Sequence, residues 1–271
     1  MKLLFRRTLA EEDEFEIARK HFGDRVIESR TQIEPGDLVV GRYSVLPYYH
    51  ELVVDAKQLG AEMLTSYRQH CYVADLREWY QDLEHLTPKT WFSLAEAVAS
   101  SWPGPFVLKG ATNSRKNLWR THMYAEDKES MREVYFRLMD DSMISDQGVY
   151  IREYEPLVQY GVSLSGIPVS KEFRFFVLKG KVIARGFYWS SQLDLFEDGK
   201  IPDVTEVPED FIQEVLDVVG DSIDFWVVDV AQRADGVWRV IEMNDGQMSG
   251  LSCCPADDLY RGLAELSTNR P

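Results

Sequence analysis

Apolar positions along the first ninety residues follow two different periods. "RVIESR" and "DLVVGRYSVL" carry the branched side chains and short spacing of strands, whereas "PYYHELVVDAKQLG" and "VADLREWYQDLEHL" space their apolar residues as helices do. Gly60 and Pro88 are placed to stop those two helices. Thr8 with Glu11 forms a capping-box pattern that predicts a helix ended by Gly23, and Ser93 with Glu96 predicts another at "SLAEAVASSW". Strands alternating with helices imply an α/β layer structure.

"WPGP", residues 102–105, interrupts regular structure and predicts a domain boundary nearby. After it come a strand, "FVLKG", a polar loop, "ATNSRKNLWR", an amphipathic helix, "DKESMREVYFRLMDDSM", and a strand, "VYIREYEPLV", broken by Pro156. Two hairpins follow, separated by a helix at "PEDFIQEVLDVVG", and "DDLYRGLAELS" supplies a last helix.

The hairpins place like charges opposite one another. In "EFRFFVLKGKVIARGFYW" a two-residue turn at Lys179 and Gly180 pairs Leu178 with Lys181, and counting back brings Arg174 opposite Arg185. In "DFWVVDVAQRADGVWRVIEMN" a turn at Asp235 and Gly236 brings Asp229 opposite Glu242, with Asn244 two residues along on the same face. Such pairs are destabilising by about 0.2–1 kcal/mol each, so a compensating ligand is expected. Two carboxylates with an amide oxygen suit Mg²⁺, and paired guanidinium groups suit phosphate. The bland reading, a solvated arginine face and carboxylates paired with lysines elsewhere, stays open for either hairpin alone.

Composition narrows the field. Of 271 residues, 45% are hydrophobic, enough for a large core, and 45 acidic against 30 basic side chains give a net charge of −15. That balance disfavours nucleic acid and anionic membranes as partners, so any anion site is local. No stretch reaches the roughly 18 apolar residues of a membrane span, and the N-terminus lacks a signal-peptide pattern. Three cysteines, Cys71, Cys253 and Cys254, suit no disulfide framework and point to a reducing cytoplasm. Cys253 and Cys254 have no paired base in the sequence and read as structural. The five histidines lack zinc-ligand spacing.

With Asp229 on one strand and Glu242-Met243-Asn244 on the next, the chain resembles the ATP-grasp superfamily, whose closing signature is an acidic residue followed by Glu-x-Asn on the neighbouring strand. "RYSVLPYYHELV", "EFRFFVLKGKVIARG" and "IEMNDGQMSGL" look most like its R2K branch and, more distantly, the eukaryotic cell-division-cycle 123 family. The resemblance implies an α/β fold with α+β subdomains: an N-terminal pre-ATP-grasp domain over residues 1–88, a small lid subdomain over 89–150 and a large subdomain with the metal site over 151–271. ATP would lie between the two subdomains. Lys109 in "PFVLKG" resembles the strand lysine that contacts phosphate, and Arg174 and Arg185 would join it. The loop "TNSRK" could fold over the phosphates through Arg115 or Lys116, although it lacks the family's glycine richness. Glu153 and Tyr154 match the hinge that meets adenine, with the carboxylate that meets the adenine amine or ribose left open. Arg68 falls where relatives carry another nucleotide-binding cation. Asp229, Glu242 and Asn244 would hold Mg²⁺. Asp245, Gln247 and Ser249 either line the acceptor side or merely form a turn.

The expected function is an ATP- and Mg²⁺-dependent ligase that joins a carboxylate to an amine through an acyl phosphate, with a peptide or protein end among the candidate substrates. Two alternatives are an ATP-binding protein-assembly factor, supported by Tyr48, Tyr49, Trp79 and Tyr80 if they are exposed, and a nucleotidyl or phosphoryl transferase such as an RNA end-joining ligase using Lys109 as nucleophile.

Overall fold

The computed structural model describes residues 1–10, 13–43, 48–196 and 200–268. Four short strands open the chain: β1 (Lys2–Phe5), β2 (Val26–Ile27), β3 (Leu38–Arg42) and β4 (Glu62–Met63), parallel and ordered β2-β1-β3-β4. Parallel neighbours need crossovers, supplied by α1 (Glu14–Phe22) and α2 (Tyr49–Gln58). Gly23 ends α1 with a φ of 57°, as expected. Thr8 does not begin it: Thr8 lies in a short 3₁₀ turn, Asp13 is the N-cap, and Glu11 falls outside the described residues. The tail of the predicted "DLVVGRYSVL" strand also lies outside them.

Two helices, α3 (Tyr67–Ala74) and α4 (Leu76–Leu83), lead to a second sheet of β5 (Thr90–Trp91), β6 (Phe106–Gly110), β7 (Tyr124–Ala125) and β8 (Val149–Glu153). Its order is β5-β8-β6-β7, and α5 (Leu94–Ala99) and α6 (Lys128–Met139) cover it through Phe106, Leu108, Met131, Leu138 and Ile151. Ser93 caps α5 as predicted, accepting from the Glu96 N–H at 3.2 Å. "WPGP" lies in the link from α5 to β6, between two strands, β5 and β6, of one sheet. Residue 150 likewise falls within β8.

A small hairpin, β9 (Gln159–Val162) with β10 (Pro168–Ser170), precedes the largest sheet. That sheet joins β11 (Glu172–Leu178), β12 (Lys181–Phe187), β13 (Phe225–Gln232) and β14 (Trp238–Asp245) antiparallel in the order β12-β11-β13-β14, with α7 (Glu209–Val219) and α8 (Ala256–Thr268) completing the fold. Period-two alternation gives it two apolar faces. Phe173, Phe175, Trp226 and Val228 pack with residues of α4 and α7. Phe176, Leu178, Phe225 and Val227 pack with β1, β3, α1 and α8, at about 1.5–3 kcal/mol for each large side chain buried. This second core seats the N-terminal sheet on the largest one. Tyr49, Trp79 and Tyr80 are buried and only Tyr48 is exposed, which removes the aromatic surface that favoured an assembly factor.

Candidate active site

The face of the largest sheet that carries Phe176 and Val227 becomes charged towards its other end. Gly186, Arg174, Asp229 and Glu242 lie directly opposite one another across the four strands, so they share a face. Asp229 does face Glu242, as predicted. Arg185 does not face Arg174: an irregularity between Phe176 and Val177 shifts the register, Arg185 pairs with Phe175, and its exposed side chain lies near Asp203. The expected arginine pair is therefore replaced by Arg174 alone.

Nor are the two carboxylates unbalanced. Arg174 donates from Nε and Nη2 to the two oxygens of Asp229, each at 2.8 Å, a bidentate fork. Lys109, from the end of β6 in the second sheet, pairs with Glu242. Burial pushes the Glu242 carboxyl up, but Lys109, with Lys116 and Arg174, outweighs it and holds the group down at about 2. Two predicted phosphate cations thus rest on two predicted metal ligands.

Asp229, Glu242 and Asn244 together offer two carboxylates and an amide oxygen. Among the described residues no three His, Cys, Asp or Glu side chains are grouped to hold a metal, so these three do not form a self-sufficient cage. They fit Mg²⁺, which takes one or two carboxylates and completes its shell with water and phosphate.

A cleft enclosing about 930 Å³ runs from Lys109 and Glu242, between the second and largest sheets, to the hinge after β8. At the hinge the N–H groups of Glu153 and Tyr154 are engaged by Lys89 O at 2.9 Å and Pro105 O at 3.0 Å. Glu155 is tied to Arg239 at 3.0 Å and to Arg233 at 3.4 Å. The Glu153 carboxylate has no hydrogen bond or ion pair among the described residues, and burial raises its pKa. The Tyr154 ring stands edge-on to Tyr124. An irregularity in β14 next to Val240 leaves Ile241 and Glu242 both lining the cleft, since a bulge re-aims side chains.

Three further charged groups line the cleft. Glu172 lies two residues before Arg174 on the same face; burial lifts its carboxyl to about 7 despite Lys116 nearby. Arg152, buried, donates to Ile241 O at 2.7 Å and Thr87 Oγ1 at 2.6 Å. Its Nε has no partner among the described residues, and burial lowers its pKa to about 10. Period-two spacing in "EFR" and "YIRE" was the available signal for both. In the polar loop Arg115 is committed to Asp141 at 2.6 Å, which leaves Lys116 as the loop cation at the cleft. Burial opposes its charge, but Tyr188, Glu242 and Glu172 raise its pKa above the ordinary lysine value.

Arg68 is exposed on α3 and is absent from the cleft lining. Asp245, Gln247 and Ser249 are buried: His70 Nδ1 meets Asp245 at 2.9 Å, Gly41 N–H donates to Gln247 at 2.7 Å, and Ser249 Oγ donates to Asp245 O at 2.9 Å. Their main work is therefore to lock the turn after β14 onto the N-terminal sheet. Asp245 and Ser249 also border a cavity of about 600 Å³ beside Arg174 and Asn244. Burial lifts the Cys254 thiol far above its ordinary value, opposite to the activation a nucleophile needs.

No helix among the described residues is long and apolar enough to cross a membrane. No curated protein sequence matches the chain. Among solved structures, a RimK domain ATP-grasp protein from Sphaerobacter thermophilus DSM 20745 aligns over 99% of this chain and 100% of its own, with a TM-score of 0.61 and 14% identity. D-cycloserine synthetase DcsG aligns over 97% and 98%, at 0.58 and 15%. The ATP-grasp ligase PsnB, complexed with minimal precursor, Mg and ADP, aligns over 97% and 96%, at 0.58 and 11%. At these identities the likeness concerns the fold. The family model "ATP-grasp domain, R2K clade family 3" matches residues 99–263, more than half of the sequence and inclusive of Lys109, Arg174, Asp229, Glu242 and Asn244, and the chain belongs to that family.

Proposed function

We propose that the protein is an ATP- and Mg²⁺-dependent ligase that activates a carboxylate as an acyl phosphate and passes the acyl group to an amine. The observation that carries this reading is one charged row, Arg174 on Asp229 beside Glu242 on Lys109, whose Lys109–Glu242 end lines a nucleotide-sized cleft. Glu153 is the free hinge carboxylate for the adenine amine, while Glu172 and Lys116 flank the path to the phosphates. Asp229, Glu242 and Asn244 would hold Mg²⁺, which when bound neutralises phosphate oxygens and helps orient the γ-phosphoryl group.

A donor carboxylate oxygen attacks the γ-phosphorus, and the bond to the β-bridging oxygen breaks as ADP leaves. The amine nitrogen then attacks the acyl carbon, the carbon–oxygen bond to phosphate breaks, and the nitrogen gives up a proton. Both steps gather negative charge on phosphoryl oxygens beside Lys109, Lys116 and Arg174, where fixed cations contribute most. The chain needs no covalent nucleophile for either step.

Hydroxylamine trapping tests the reading. With Mg–ATP, a pool of carboxylates including peptides, and hydroxylamine as acceptor, the protein is expected to release ADP and phosphate and to form a hydroxamate. Tight Mg–ATP binding without ADP release from any such pool would contradict ligase chemistry.

A further inference from the structure

A second cavity, open to solvent and of about 690 Å³, adjoins the nucleotide cleft between the β9–β10 hairpin and the segment that follows β12. Tyr188 and Trp189 form part of its wall, and Ser163, Ser165, Ser191 and Ser252 bring hydroxyls to it. Its described lining contains no carboxylate, in a chain of net charge −15. One lining residue is charged: Lys116, which also lines the nucleotide cleft. Its ammonium reaches the Tyr188 hydroxyl at 2.5 Å and stands 4.4 Å from the centre of that ring. An ammonium has three N–H donors, so this bond leaves donors for other acceptors.

Phosphorylating a carboxylate requires two anions to touch. Their mutual repulsion is strong in a site of low dielectric, and a cation shared by both anions offsets it. Lys116 occupies the shared wall. The rim adds the nature of the carrier. Val162, Leu164, Leu193 and Leu195 are exposed next to the lining serines, with Leu164 wholly exposed at the hairpin tip. Hairpin and segment lie side by side, since a Cβ on Gly161 would come within 3.3 Å of Leu195. An exposed aliphatic rim around a polar cavity marks a contact surface for a larger partner.

We propose that this cavity is the acyl-donor subsite and that its substrate is a peptide presenting a carboxylate between aliphatic residues, with Lys116 bridging that carboxylate and the γ-phosphate. The proposal rests on the ligase reading and specifies its donor. Lys116 acts on both anions, the serine hydroxyls donate to the carboxylate, and the leucines of the rim cover the neighbouring side chains.

The test uses two dye-labelled probes with blocked C-termini, a Leu-Glu-Leu peptide and its Leu-Gln-Leu counterpart, added to the full chain with a non-hydrolysable Mg–ATP analogue and followed by fluorescence anisotropy. The carboxylate probe should bind at least about tenfold tighter than the amide probe, a difference of about 1.4 kcal/mol. Ser191→Asp, which puts a second anion in the cavity but lies outside the nucleotide cleft, should bring the two within about twofold while the analogue still binds, which also reports that the variant is folded. Equal binding of the probes, binding of neither, or selectivity retained in Ser191→Asp overturns the donor subsite and leaves the nucleotide site standing. Failure of the wild-type chain to bind the Mg–ATP analogue overturns both.

Discussion

Two arginine–carboxylate clusters sit on the same face of the largest sheet, and they differ in what closes them. Arg42, at the end of β3, is wholly buried, and its donors reach Glu14 at 2.9 Å, Gly246 O at 2.7 Å, Ser249 O at 3.0 Å and Tyr260 Oη at 3.2 Å. The cluster ties β3, α1, α8 and the turn after β14 together. Arg174 is also buried and also meets a carboxylate, here in a bidentate fork onto Asp229, but its row continues through Glu242 to Lys109, which face an open cleft. A charge sealed among protein acceptors holds the fold, whereas the Lys109–Glu242 pair, which borders the cleft, is available for exchange with a ligand.

The largest expected effect would break the first cluster. Glu14→Ala leaves the buried Arg42 cation without its carboxylate and should cost about 3–5 kcal/mol, measured by urea unfolding. A smaller effect separates the clusters by pH. Burial lifts Glu172 from its ordinary 4.5 to about 7, so the folded chain holds this proton more tightly than the unfolded chain does. Its contribution to stability is full below about 4.5 and is lost as pH rises through about 7. In the ligand-free protein that loss is on the order of 3 kcal/mol, and Glu172→Gln should flatten this part of the stability–pH curve. The smallest effect concerns Arg185, which points away from the row: Arg185→Ala should change stability by less than about 0.5 kcal/mol and leave the affinity for a non-hydrolysable Mg–ATP analogue, measured by calorimetric titration, unchanged.

The two hairpins show how far the site was legible in the sequence. In the first, Lys179 and Gly180 have φ of 46° and 71° and form the predicted two-residue turn, yet the register is lost at Ile183. That residue packs against α8 so closely that a Cβ on Gly262 would lie 2.8 Å from its own Cβ. The bulge lies where β12 meets a helix distant in sequence, and nothing local announces it. In the second, the turn spans Ala234 to Gly236, with Arg233 N–H reaching Val237 O at 2.8 Å, which moves the register by one. The irregularity between Asp229 and Val230 moves it back. Asp229 therefore faces Glu242 through two offsets that cancel. Arg68 lies on α3, away from the cleft lining, and a local signal for that helix existed: Ser66 and Gln69 form the capping box that starts it. The layers and helix ends followed from periodicity and caps, while the ion pairs across the row depended on strand order, which no single segment encodes.

Calorimetric titration of a non-hydrolysable Mg–ATP analogue into wild type and Glu242→Gln, with the melting temperature of each recorded, tests the central claim most directly. Lys109 retains its side-chain contact with the Gln variant's amide oxygen, so the fold should hold. The account predicts binding to wild type, weakening by at least about thirtyfold in the variant, equivalent to about 2 kcal/mol, and melting temperatures within about 4 °C of each other. Equal affinity of the two proteins, or no binding to wild type, would contradict it.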